Sequence, residues 1–273
     1  MSKTTILQAG LSANAFQRIK ECFQYLDLLW MLSYRDIRVR YAQTFLGLSW
    51  AVINPVISVL LLHLVFNVVA KVDTQSVPPL VFTMAGICAW SYFARVVGDA
   101  GTSIIGAQSL VKKVYFPRLI IPFSKAMSAL LDLGIVLFLL ACMLIIYKIP
   151  LTWQALMIIP FILLTVLASV AFGVWISALT IRYRDFHHIL PVVLRIGMFL
   201  SPIAYSASKV PENYKWVYNL NPLTGIIEGF RWAIFDTPFN LVSLWISMSI
   251  ILITLIGGIW YFLRMEQYIA DII

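Results

Sequence analysis

The chain has 273 residues, of which 61% are hydrophobic and only 12% charged, with a mean hydropathy of +0.90. A soluble domain carries roughly 25% charged residues, so this composition excludes a water-facing globule and implies an all-α integral membrane protein. The net charge of +8 lies between apolar runs instead of forming one basic face, which excludes nucleic acid as the partner and reads as membrane topology.

The first twenty residues lack the apolar core and small-residue cleavage site of a removable signal peptide. Residues 22–40 carry Phe23, Leu26, Trp30 and Ile37 at helical spacing with charges between them. That pattern predicts an amphipathic helix lying along the inner membrane surface. A helical span needs about 20 mainly apolar residues. Residues 48–70 and 74–94 qualify without a formal charge, the second opened by Pro78-Pro79. A third span is expected over 126–147, interrupted by Asp132. Residues 149–181 are charge-free but too long for one straight span, so Pro150 and Trp153 are assigned to a loop and interfacial belt. A weaker fifth span over 189–205 contains Arg195 and Pro202, and a sixth covers 241–263. Before the last span, Asn221-Pro222 predicts a short external helix, with Asn capping and Pro at the first position.

Six spans divide the basic residues unequally. One side holds Lys3, Arg18, Lys20, Arg35, Arg38, Arg40, Lys112, Lys113, Arg118, Lys125, Arg182, Arg184 and Arg264; the other holds Lys71, Lys148, Lys209, Lys215 and Arg231. The positive-inside rule then puts both termini in the cytoplasm. The chain divides into a cytoplasmic segment 1–46, a six-span domain 47–263 and a cytoplasmic tail 264–273. SLVKKVYFPRLIIP, residues 109–122, becomes a cytoplasmic segment in which 104–114 makes a short helix stopped by Pro117 and Pro122.

Charges inside spans need partners. Arg95 and Asp99, four apart, are expected to pair within their helix, and Glu228 and Arg231 are close enough to pair on the external one. Asp132 and Arg195 are left to pair with each other or with polar ends of neighbours. Trp90, Tyr92, Trp153, Trp216 and Trp260 are read as interfacial belt residues. Thr165, Ser169, Gly173 and Ser177 form a small-residue stripe for close helix packing. Cys22, Cys88 and Cys142 are read as free thiols; His63, His187 and His188 make no metal set, and no catalytic constellation stands out.

The span order, the YFPR segment, IRYRDFHHILP (181–191) and LNPLTGIIEGFRWAIF (220–235) together resemble the type-2 ABC exporter permeases, over about residues 25–263. The resemblance is greatest to the polysaccharide-export branch, which moves O-antigen, capsule or teichoic acid. LSPIAYSASKVPENYKWVYNLNP (200–222) is most similar to the O-antigen, lipopolysaccharide-exporting members.

The resemblance implies a bacterial inner-membrane location, a homodimer, two copies of a separate ATPase subunit and a polyprenyl-pyrophosphate-linked glycan as cargo. No glycine in the chain is followed by lysine, so no phosphate-binding loop GxxxxGK[ST] exists. ATP and Mg would therefore act through the partner, with no cofactor bound by this chain. On this reading Lys112, Lys113, Val114, Tyr115, Phe116 and Arg118 form an ATPase-coupling helix, although the basic residues alone also satisfy topology and lipid phosphates. Arg35, Arg38 and Arg40 are candidates for the cargo headgroup at the cytosolic pore mouth, and guanidinium groups there also suit ordinary anionic lipid. Phe66, Phe199 and Tyr205 are candidate pathway-lining rings, against ordinary helix packing. Glu228 and Arg231 are the candidate external gate. Within the family, an exporter of a drug or a smaller lipid is the nearest competitor; from other classes, a proton-coupled carrier built on Asp132 competes, and a membrane glycosyl- or acyltransferase lacks the convergent acids or histidines it would need.

Overall fold

The structure, a computed structural model, describes residues 15–42, 46–74, 77–183, 185–206 and 210–266, with side chains from residue 20 onward. Lys3, Arg184, Lys209, the side chain of Arg18 and the tail beyond residue 266, all used in the topology argument, lie outside the described residues.

Among the described residues the fold is all helical. Helix α1 (Ala15–Gln24) and helix α2 (Leu26–Tyr41) replace the single amphipathic helix expected over 22–40. The break falls at Tyr25, where φ −112° and ψ 29° leave the helical region. Phe23, Leu26 and Trp30 point outward with Met31 and Tyr34, but Ile37 of the expected face is partly buried, and Asp27, Arg35 and Arg38 share the exposed side. Helix α3 (Ser49–Leu62) runs on into a π-helical stretch, His63–Val69.

Helix α4 (Pro79–Gly106) is the central helix, packed against nearly every other long element. It extends a dozen residues past the predicted end of the second span. Arg95 and Asp99, where the apolar run stops, are neutralised by partners on other helices, so the helix continues through them. Ala85, Gly86, Ala89, Ala100 and Gly101 supply the small surface that lets neighbours approach. At Gly86 the approach is to backbone: a Cβ would stand 2.9 Å from the Cα and carbonyl oxygen of Ile203.

A six-residue helix α5 (Gln108–Lys113) and an extended turn lead into α6 (Ile120–Ile146). The helix expected over 104–114 is thus split between the end of α4 and α5. Lys148 takes a left-handed φ of 53° and a 3-10 turn, Trp153–Met157, precedes α7 (Ile158–Arg182). This matches the expected loop before the fourth span. On α7 the stripe Thr165, Ser169, Gly173 and Ser177 is buried as expected; a Cβ at Gly173 would lie 3.2 Å from Ala100 of α4.

The expected fifth span corresponds to α8 (Phe186–Leu200), which has 15 residues. At 1.5 Å per residue it is only about 22 Å long, short of a ~30 Å hydrocarbon core. Five helical segments among the described residues are long and apolar enough to cross a membrane: Ser49–Val69, Pro79–Gly106, Ile120–Ile146, Trp153–Arg182 and Leu241–Glu266. After α8 the chain turns through 201–206 into α9 (Glu212–Asn219), α10 (Pro222–Phe235) and α11 (Leu241–Glu266). Asn221 caps α10 as its sequence predicts, its Oδ1 accepting from the Leu223 amide at 3.0 Å.

Because α4 runs to Gly106, Trp90 and Tyr92 lie mid-helix in the core instead of at a membrane interface. The Tyr92 hydroxyl donates to the Ala126 carbonyl at 2.9 Å. Trp153, Trp216 and Trp260 are exposed, as belt residues would be.

Candidate functional site

The end of the bundle that carries α1, α2 and α5 gathers most of the basic side chains. Lys112 and Lys113 close α5 and are exposed, followed by exposed Val114 and Tyr115 in extended backbone. Phe116 does not join them. It is 3% exposed and packs with Ile104, Leu119 and Phe262 beneath the segment. The chain turns back toward the bundle here, so Phe116 and Pro117 are buried while Val114 and Tyr115 stay outside. Arg118 is held back as well: its amide donates to Glu266 Oε1 at 3.1 Å and its guanidinium donates to the Glu266 carbonyl, pinning the segment to the end of α11. The displayed surface is therefore Lys112 to Tyr115, on a base formed by Phe116 and Arg118.

The three arginines of α2 separate in the same way. Arg35 is exposed beside Asp36 (3.1 Å), and Arg38 is exposed with its guanidinium 5.6 Å from the Tyr34 ring. Arg40 faces inward. It donates to Asp99 of α4 at 2.5 Å and to Asp132 of α6 at 2.9 Å. Arg95 reaches the same Asp132 at 3.3 Å, and the Tyr41 hydroxyl donates to it. The expected Arg95–Asp99 pair is thus replaced by a network between helices, and Arg40 is withdrawn from the headgroup role. The cause is electrostatic: two carboxylates on spanning helices need cations, and a planar guanidinium bonds both at once. Burial alone would lower the Arg40 pKa, but the Asp99 and Asp132 charges outweigh it and raise it. Asp132 does not meet Arg195, which lies exposed on α8. A second strut joins Lys125 of α6 to Asp36 at 2.5 Å.

Sequence reasoning missed the partners of Arg40, Lys125 and Arg118. The signal for the first was present: Asp99 and Asp132 are isolated carboxylates near span ends, and the helix just before carries three arginines. Which arginine turns inward depends on how α2 lies on α6, which spacing does not reveal.

At the opposite end, α10 and the 201–206 turn pack on the start of α4. The expected Glu228–Arg231 pair is not made. Arg231 is buried and donates to the carbonyls of Ile203 (2.6 Å), Tyr205 (3.1 Å) and Phe82 (3.4 Å), with its guanidinium 3.5 Å from the Phe82 ring centroid. The turn after α8 breaks the helical ladder, and its free carbonyls take the arginine in place of the carboxylate. Burial pulls the Arg231 pKa down to about 9. Glu228 keeps one oxygen, Oε2, without a hydrogen bond, and burial pushes its carboxyl up to about 7 against the opposing charge of Arg231.

The three candidate rings do come together. Phe66, in the π-helical part of α3, lies 6.4 Å from Phe199 and 5.9 Å from Tyr205 between ring centroids. The Tyr205 hydroxyl donates to the carbonyls of Phe199 and Leu200. This aromatic group sits beside the Arg231 staple, on the face formed by α3 and α8.

Five membrane-length helices, with charged side chains collected at the two ends, define a multi-pass membrane protein. A profile of the ABC-2 type transporter family matches residues 27–235, and the chain belongs to that family, whose members are transporter membrane subunits. It is similar to the O-antigen export system permease protein RfbA of Klebsiella pneumoniae, 25% identical over 248 residues covering 90% of this chain and 95% of that one. The protein of that name from Myxococcus xanthus is 28% identical over 220 residues, 80% of this chain and 83% of the relative. The polysialic acid transport protein KpsM of Escherichia coli is 24% identical over 241 residues, 79% of this chain and 89% of that one.

Proposed function

We propose that this chain is the membrane-spanning subunit of an ATP-driven exporter that moves a lipid-linked polysaccharide, of the O-antigen class, across a bacterial inner membrane. The observation that carries the reading is likeness over nine-tenths of the chain to a permease named for O-antigen export. Two copies would form the pathway, with both termini in the cytoplasm. Two copies of a separate ATPase subunit would bring ATP and Mg. The displayed Lys112–Tyr115 segment is the contact for that motor, and Arg35 and Arg38 are the arginines of α2 that stay exposed to meet a pyrophosphate headgroup. The aromatic group of Phe66, Phe199 and Tyr205 would face the passing glycan, while α10, fastened through Arg231, holds the outer end closed. The likeness to a polysialic acid transporter favours a capsular glycan as the second reading of the cargo.

The test pairs two measurements. Val114→Ala with Tyr115→Ala should weaken co-purification with the ATPase and reduce ATPase stimulation, leaving the amount of permease in the membrane unchanged. A strain lacking the gene should accumulate lipid-linked glycan on the inner side of its membrane. Undiminished complex formation removes the motor contact; absence of accumulated glycan removes the cargo.

A further inference from the structure

Helices α4, α7, α8 and α9 enclose a half-open groove of about 460 Å³ whose walls are almost wholly apolar. Its floor is Trp90 and Phe93 of α4 with Phe172 of α7. Gly197 lets α8 close over this floor, since a Cβ there would stand 2.9 Å from the Trp90 ring. The groove follows α8 from Leu190 to Ser201, roughly 16 Å at the helical rise, which is about half the thickness of a ~30 Å hydrocarbon core. Polar groups gather at one end only, where Asn221 Nδ2 donates to Ser201 Oγ at 2.9 Å and Tyr214 stands nearby. That end is the one carrying α9 and α10.

We propose that the groove holds one acyl chain of a bilayer phospholipid, from the leaflet on the α9–α10 side, with its glycerol ester at the Ser201–Asn221 rim. An apolar cavity of this kind is not filled by water, and it runs along two membrane-length helices, α4 and α7, beside which lipid tails are the abundant apolar chains. Its length fits one leaflet, and its single polar end fixes the chain direction. A tail seated there would wedge the short α8 against α4 and α7. The inference rests on membrane insertion alone and stands whatever the cargo.

The test uses the purified full chain in nanodiscs containing phosphatidylethanolamine with a diazirine placed either near the ester or near the methyl end of one acyl chain. After illumination, the methyl-end probe should label the region of Val97, Ile176 and Leu190, and the ester-end probe the region of Tyr214 and Ser201. Filling the exposed mouth with Val193→Trp, or from α9 with Val217→Trp, should abolish both labels while lipid labelling on the outer face of α11 persists. Labelling that ignores probe position, or survives both substitutions, would reduce the groove to ordinary boundary lipid and overturn the proposal. Displacement by added polyprenyl phosphate would reassign it to a polyprenyl chain. A disulfide between copies through Val193→Cys would reassign it to a subunit interface. Either result also overturns it.

Discussion

A guanidinium as buried as that of Arg231 must find its partners within the protein: three carbonyls take its two terminal nitrogens and the Phe82 ring lies against its face, while Nε makes no hydrogen bond. Arg231→Met strands those carbonyls and should cost roughly 2–4 kcal/mol, read as a lower thermal midpoint in detergent. Arg231→Lys should recover only part, because one ammonium cannot span three acceptors. Glu228 makes the opposite contribution. Its pKa is raised from 4.5 to about 7, so the folded state holds a proton that the unfolded chain releases. Stability from this group is complete below about pH 4.5 and is lost as pH rises through about 7. Glu228→Gln should therefore unfold at a higher temperature than wild type at pH 8 and at nearly the same temperature at pH 4.5. A constant difference across that range would show that the carboxyl is not the titrating group.

Helices α2, α4 and α6 are joined by ion pairs that cross between elements at one end of the bundle. Arg40 bonds both Asp99 and Asp132, and Lys125 bonds Asp36, so the interface helix is fastened to two spans. A push on that end would be carried into α4 and α6 as one body. Arg40→Met should release α2, seen as faster amide hydrogen exchange over 26–41. Combining it with Asp99→Asn should be less damaging than the sum of the single changes, by about 1–3 kcal/mol, since the second change removes the stranded charge. Additive effects would mean that the pair does not act as a unit. The same elements show how far pattern reading reaches. The outward placement of Phe23, Leu26 and Trp30 is legible because their spacing puts them on one side, while the break at Tyr25 and the partial burial of Ile37 are not. The inward turn of Arg40 and Phe116 is not either, because neighbouring positions carry the same residue types and only docking separates them.

Across the whole molecule the apolar surface is unevenly covered. Helix α4 is enclosed on nearly all sides, while α3 leaves Ile57, Leu60, Leu61 and Leu64 exposed and α8 leaves Val192, Val193 and Ile196 exposed. Both helices border the aromatic group of Phe66, Phe199 and Tyr205, and if two copies pair as proposed, α3 is the face with apolar surface left to cover. Leu61→Cys, in a chain otherwise without cysteine, should form a disulfide dimer on mild oxidation in membranes. The same substitution at Leu163, exposed on α7, should stay monomeric. Dimers at Leu163 and none at Leu61 would move the interface elsewhere.

Sequence alone determined the membrane class, four of the spanning helices to within a few residues at one or both ends, the Asn221 cap and the small-residue stripe of α7. Each of these depends on local composition or spacing, which the chain carries at every stage of folding. Tertiary structure alone decided that α4 continues through Arg95 and Asp99, that α8 is too short to match the span expected of it, and that Arg231 leaves Glu228 for backbone carbonyls. Those outcomes depend on which partner is nearest once the helices have packed. A buried charge goes to whatever distant segment leaves a group unsatisfied, and that segment is not its neighbour in sequence.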